Sequence, residues 1–165
     1  MLKFFEAIFF ITLLTFSFTA ASFEIDDFQS GMDKNMVKEL LNNWKFDRIQ
    51  EFSGNAVIAY DLPEKESFRQ FTFVFCNDKL VSFEQAIKPE VKNFILMSSN
   101  YNKLYGQPAK VEATNNVISI GEKNQLAMYW RKSGDLIGLK IVLLPPNDQI
   151  IATYESPNTC WKIPR

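Results

Sequence analysis

Three apolar segments joined by short turn sequences near the C-terminus restrict the fold most. In Gln125–Arg131, Leu136–Leu144 and Gln149–Glu155, apolar residues recur at alternate positions, the period of a half-buried strand. Turn-forming residues connect them, Ser-Gly-Asp at 133–135 and Pro-Pro-Asn-Asp at 145–148. Because loops this short join antiparallel neighbours, the segments predict an antiparallel meander.

The middle of the chain predicts a helix followed by more strands. Pro89 suits the first position of a helix, and Gly106 suits its C-terminal cap. Pro108 prevents the helix from continuing. Asn116–Ile120 is a weaker strand that precedes the meander.

The first part of the chain has the same order of predicted elements. Asp33 is a favourable N-cap for a helix with an apolar stripe. Strands are predicted at Phe52–Tyr60, at 71–76 and at Leu80–Ile87, the second from the alternation of Phe71, Phe73 and Phe75. We therefore predict an α+β fold of two halves, 22–88 and 89–165. In each half a helix is followed by antiparallel strands, and the helices pack on the sheet. We assign Trp44, Trp130 and the three phenylalanines to the core.

The N-terminal segment predicts export. Lys3 precedes the apolar run Ala7–Phe16, and Thr19 and Ala21 are small residues where a signal peptidase reads the chain. We predict a signal peptide at 1–21 and a single domain at 22–165 that is periplasmic or secreted. A retained membrane anchor is the alternative, but a spanning helix needs about 20 apolar residues and this run has about 10 to 12. No cysteine follows the run for lipid attachment, so we expect no stable membrane anchor after cleavage.

The two cysteines, Cys76 and Cys160, are predicted to form a disulfide bond. Exported chains usually pair their cysteines. The alternative is two unpaired thiols.

The residue inventory argues against an enzyme. The chain has no histidine, which excludes the usual Ser-His-Asp and Cys-His catalysis and histidine-containing metal sites. No serine has a lysine three residues later, and the 6 glycines are too scattered for a phosphate-binding loop. With a net charge of −1 and no basic run, binding to nucleic acid is not expected. We predict no catalytic residues, no metal and no cofactor.

Neighbouring carboxylates leave one enzymatic alternative. Asp26-Asp27 and Glu64 with Glu66 are close in sequence. A carboxylate-dependent hydrolase of envelope glycans would need two such groups facing each other across a cleft. The simpler interpretation is solvated loop charge.

One predicted sheet face is suited to binding a partner. Its residues combine an aromatic ring with charges of both signs: Tyr129, Arg131, Lys140, Thr153 and Glu155. Tyrosine and arginine are favoured anchors in protein interfaces. We predict that this face binds a protein or an envelope component. The alternatives are an ordinary solvated face and a carrier that holds a small apolar ligand between helix and sheet.

The opening of the first helix is similar to that of one envelope family. Gly31-Met32, followed by Val37 and Leu41, resembles the SmpA/BamE-type outer-membrane assembly lipoproteins. The order of helix and strands resembles the wider beta-lactamase-inhibitor-protein-like architecture. The resemblance implies a non-enzymatic envelope protein that binds other proteins through its sheet. This chain differs in lacking the lipid-attachment cysteine, and in having Asn42-Asn43-Trp44 where Gly-x-Pro commonly follows the helix.

Overall fold

A computed structural model describes residues 23–62, 68–146 and 148–161. The predicted signal peptide and the pair Glu64 and Glu66 lie outside the described residues. The elements, in chain order, are β1 (Glu24–Ile25), β2 (Phe28–Gln29), α1 (Lys34–Asn43), β3 (Arg48–Phe52), β4 (Ala56–Tyr60), β5 (Arg69–Cys76), β6 (Lys79–Ile87), α2 (Val91–Tyr105), β7 (Lys110–Ile118), β8 (Gly121–Lys132), β9 (Asp135–Leu143) and β10 (Gln149–Glu155).

Eight strands form one antiparallel sheet in the order β3-β4-β5-β6-β10-β9-β8-β7, and β1 and β2 form a separate hairpin. The predicted meander is confirmed, because β8, β9 and β10 are consecutive neighbours in the sheet. The last strand, β10, also pairs with β6, with Thr153 opposite Glu84. This pairing joins the strands before α2 and the strands after it into one sheet.

The predicted α+β fold class is wrong, because the described part of the chain is mostly β, with 52% of its residues in strands and 19% in helices. The two-stranded hairpin also precedes α1, so the described part of the chain begins with strands and not with a helix. The prediction understated the strands because β3 is exposed along its whole length and β7 along almost all of it. A strand that has water on both faces does not need apolar and polar residues to alternate along its sequence. The predicted strand Asn116–Ile120 overlaps only the end of the longer β7, since Ser119 and Ile120 lie in the turn that follows it. The predicted strand Phe52–Tyr60 is divided by a turn at Ser53–Asn55.

One face of the sheet carries the core, as predicted for its aromatic residues. Phe71, Phe73 and Phe75 on β5 are 3% exposed or less, and Trp130 on β8 is fully buried. Phe28 of the hairpin packs on this face with its ring centroid 4.7 Å from that of Phe73. The aromatic rings form a contiguous cluster beneath the hairpin.

Both helices pack on the same face. The buried residues of α1 are Val37 and Leu41, and they belong to the core cluster. From α2, Tyr101 packs against Trp130 at a centroid distance of 5.3 Å. The indole nitrogen of Trp130 donates a hydrogen bond to the carbonyl oxygen of Gly106 at 3.0 Å, at the point where α2 ends. Gly106 has φ +82°, a backbone conformation that favours glycine, which explains its place at the helix end. Neither helix in the described part of the chain has the length and apolar character needed to cross a membrane.

The predicted disulfide bond between Cys76 and Cys160 is confirmed, with 5.8 Å between the Cα atoms. It joins the end of β5 to the tail that follows β10. The backbone N–H of Ser156 donates to the carbonyl oxygen of Val81 at 2.8 Å, which continues the attachment of the tail to β6.

Candidate binding face

We call the sheet surface opposite the core the open face. It consists of the strand residues that alternate with the core-facing ones. Its central row runs across four adjacent strands: Tyr129 is opposite Gly138, Gly138 opposite Thr153, and Thr153 opposite Glu84. Because α1, α2 and the β1–β2 hairpin pack on the core face, this row lies on the side that they leave uncovered.

Lys140 and Thr153 converge on a residue that the sequence analysis did not select, Glu84. Thr153 Oγ1 donates a hydrogen bond to Glu84 Oε1 at 3.0 Å. Lys140 Nζ lies 3.6 Å from the same carboxylate oxygen. The lysine and glutamate side chains remain 24% and 37% exposed, so a partner can reach both charges. The prediction missed Glu84 because nothing in the local pattern of β6 places it beside β10.

Tyr129 lies over the position where β9 has a glycine. A Cβ atom at Gly138 would stand 3.5 Å from both Cδ1 and Cε1 of Tyr129, so the ring occupies the space above the glycine. This contact buries the tyrosine partly, and burial raises the pKa of its hydroxyl. An aromatic ring held in one place over a strand is a preorganised contact, since little side-chain entropy remains to be lost on binding.

Arg131 and Glu155 lie in the neighbouring row of the open face, on either side of Leu136. Their backbones are two strand spacings apart, about 9.6 Å. The indole nitrogen of Trp161 donates a hydrogen bond to the Glu155 carboxylate. The tail therefore occupies Glu155, whereas Arg131 is exposed.

The structure therefore brings two of the five predicted residues, Lys140 and Thr153, together at Glu84, and places a third, Tyr129, in the same row as Thr153, two strands away. These side chains offer an aromatic ring, an ammonium group and a carboxylate on the open face, in the central row and in the adjacent row that contains Lys140. Such a combination suits the polar and aromatic contacts of a protein interface.

A second concave region lies between the hairpin and the β8–β9 turn. It is a cavity of about 290 Å³ whose lining includes Glu24, Asp135, Tyr105 and Tyr154. Asp135 is 2% exposed. The cavity places two carboxylate residues, Glu24 and Asp135, in one lining, and neither belongs to the pairs noted in the sequence.

The predicted carboxylate pair Asp26-Asp27 occupies the turn of the hairpin. Asp27 Oδ2 accepts a hydrogen bond from the indole nitrogen of Trp44 at 3.0 Å. This contact attaches the hairpin to the end of α1, which gives Asp27 a structural role.

A groove of about 370 Å³ lies where β7, β8 and β9 run side by side. Its apolar lining consists of Ala113, Leu126, Ile141 and Leu143. All of its lining residues belong to strands, so it is not the space between helix and sheet that the ligand-carrier alternative predicts. Within the described part of the chain, no three potential metal-ligating side chains come together.

Comparison with protein-family models, with curated proteins and with solved structures finds no match for this chain.

Proposed function

We propose that this protein is an exported, non-catalytic binding protein whose open face contacts a protein or an envelope component. The observation that carries the proposal is the convergence of Lys140 and Thr153 on Glu84, with Tyr129 farther along the same row, on a sheet surface left uncovered by both helices. A partner that offers a carboxylate to Lys140, an amine to Glu84 and an apolar group to the Tyr129 ring fits these side chains.

The disulfide bond supports the exported part of this proposal. Structural disulfides persist in oxidising compartments such as the periplasm or the extracellular space. The Cys76–Cys160 bond therefore agrees with the apolar N-terminal segment, which we propose to be a cleaved signal peptide.

Affinity capture from an envelope extract tests the proposed face. The purified protein is immobilised, and the captured components are compared with those of Lys140→Ala and Arg131→Ala. Each substitution removes an open-face charge without removing the Tyr129 ring from Gly138. The matched control is Lys92→Ala, an exposed lysine of α2 on the other side of the sheet. We expect at least one component to be lost from both open-face variants and retained by the control.

A second measurement distinguishes a specific partner from a component that is captured nonspecifically. The captured component is purified, and its binding is measured by titration calorimetry against the wild type and against Tyr129→Phe, which keeps the ring. If every captured component is still captured by the open-face variants, the open face is not the binding surface.

Release of sugar fragments from envelope glycan would instead favour the hydrolase alternative, with Glu24 and Asp135 as the carboxylates to replace. Co-purification of a small apolar molecule would favour a ligand carrier.

A further inference from the structure

The strand at one end of the sheet, β7, is long and unprotected. It spans nine residues, and its only neighbour in the described sheet is β8. Its apolar side chains are exposed, with Val111 55%, Val117 84% and Ile118 40% accessible. It contains no proline, and its register with β8 shows no bulge. An outer strand of this kind presents a row of backbone N–H and C=O groups that another strand can pair with.

The strand at the opposite end, β3, is protected by charge. It has five residues, and Glu51 accepts hydrogen bonds from Lys34 Nζ and Lys38 Nζ of α1, each at 3.0 Å. Lys34 also donates to the carbonyl oxygen of Gly54 at 2.7 Å. Charged residues are a common means of preventing contact between sheet edges. The charged residues of β7 are Lys110 and Glu112, which form an ion pair with each other. The rest of this strand, residues 113–118, carries no charge.

We propose that two copies of this protein associate by antiparallel pairing of their β7 strands, with the two-fold axis at Thr114. In an antiparallel pair, directly opposite residues lie on the same face of the sheet. A symmetric pair must therefore be centred on a residue that faces its own counterpart. Only a centre at Thr114 aligns all nine residues of the strand.

The side chains of β7 are complementary in this register. On the core-facing side, Val111 lies opposite Val117 of the second copy. On the open-face side, Lys110 lies opposite Ile118 and Glu112 opposite Asn116 of the second copy, so no like charges meet. A centre at Glu112 would oppose two carboxylates, which destabilises a strand pair. Both copies then contribute to one continuous sixteen-stranded sheet.

Cysteine cross-linking tests the register directly. In the proposed pair the two Thr114 residues are directly opposite, with Cα atoms about 4.5 to 5.5 Å apart, within the range that a disulfide can bridge. The two Asn116 residues are offset by four residues along the strands, about 13 Å, which is too far. The wild type supplies no competing thiol, because both of its cysteines are bonded. With mild oxidant, we expect Thr114→Cys to form a covalent dimer on a non-reducing gel and Asn116→Cys to remain monomeric.

Sedimentation equilibrium gives an independent measurement. We expect the wild type to dimerise with increasing concentration, and Thr114→Lys to shift this equilibrium toward monomer, because two lysines would face each other across the axis. Gln50→Lys, on the exposed strand β3 at the other end of the sheet, is the matched control and should dimerise like the wild type. A wild type that stays monomeric at every concentration overturns the proposal. Equal cross-linking at positions 114 and 116, or none at 114, overturns the register.

Discussion

Two tyrosine hydroxyls meet in the interior where α2 packs on the sheet. Tyr101 and Tyr154 share a hydrogen bond and are 7% and 6% exposed. Burial raises the pKa of Tyr101 to about 12, and burial together with the neighbouring Tyr101 raises that of Tyr154 well above the ordinary value. The core at this point therefore depends on both phenols remaining protonated.

We expect this pair to make the protein sensitive to alkali. The unfolded chain ionises tyrosine near pH 10, so above that pH the folded state holds more protons than the unfolded state. The stabilisation is complete below pH 10 and is lost as the pH rises toward about 12, the pKa of Tyr101. Over this window we expect the free energy of unfolding to fall by roughly 1.4 kcal/mol per pH unit for each such group. Urea unfolding at pH 8, 10 and 11 measures the decrease.

The double variant Tyr101→Phe/Tyr154→Phe is the control for this prediction. It retains both rings but has no hydroxyl to ionise at this position. Its stability should change less between pH 8 and 11 than that of the wild type. An equal decrease in both proteins would show that the alkaline sensitivity arises elsewhere.

At the scale of single elements, β5 illustrates the difference between the two faces of the sheet. Phe73 is fully buried in the aromatic cluster, whereas its neighbour Thr72 is half-buried on the open face. We expect Phe73→Ala to lower the free energy of unfolding by about 3 to 5 kcal/mol, since it removes buried apolar contacts and leaves a cavity. Thr72→Ala should cost less than about 1 kcal/mol. Denaturant unfolding of the two variants compares them, and similar losses would contradict the assignment of the faces.

The sequence predicts the elements whose two sides differ. In β5 and in the β8–β10 meander, one side faces the core and the other does not, so apolar residues alternate and the prediction succeeds. Gly106 marks the end of α2 for an equally local reason, its left-handed backbone conformation. The outer strands β3 and β7 have no buried side, and their sequences contain no corresponding signal. This is why the amount of strand was underestimated and the fold class was wrong.

The candidate site could be predicted only in part for a related reason. Tyr129, Lys140 and Thr153 lie on strands that are consecutive in the chain, so alternation alone places them on one face. Glu84 reaches them through the pairing of β6 with β10, which are separated by some 70 residues. A contact between strands so distant in sequence has no local pattern. The position of Tyr129 over Gly138 also depends on the register of β8 and β9, which a sequence pattern leaves open.

At the scale of the whole molecule, the sheet is continuous because β10 lies between β6 and β9. This last strand of the described chain thus joins β3–β6 to β7–β9. The tail that follows β10 returns toward β5 and β6, where the disulfide bond fixes it. The C-terminal end is therefore essential to the arrangement of the whole sheet, although it contributes only one strand.

Loss of the disulfide bond should accordingly destabilise the entire fold. The bond closes a loop of 84 residues. The chain-entropy argument gives about 4 to 5 kcal/mol for a loop of this length, a large share of the stability of a small domain. We expect Cys76→Ala/Cys160→Ala to lower the midpoint of urea unfolding strongly, since its unfolded chain gains the conformations that the bond forbids. Wild-type protein unfolded in the presence of a reductant should show the same loss, whereas the double variant should not respond to the reductant. If reduction left the midpoint unchanged, packing between β10 and β6 alone would be holding the two ends of the sheet together.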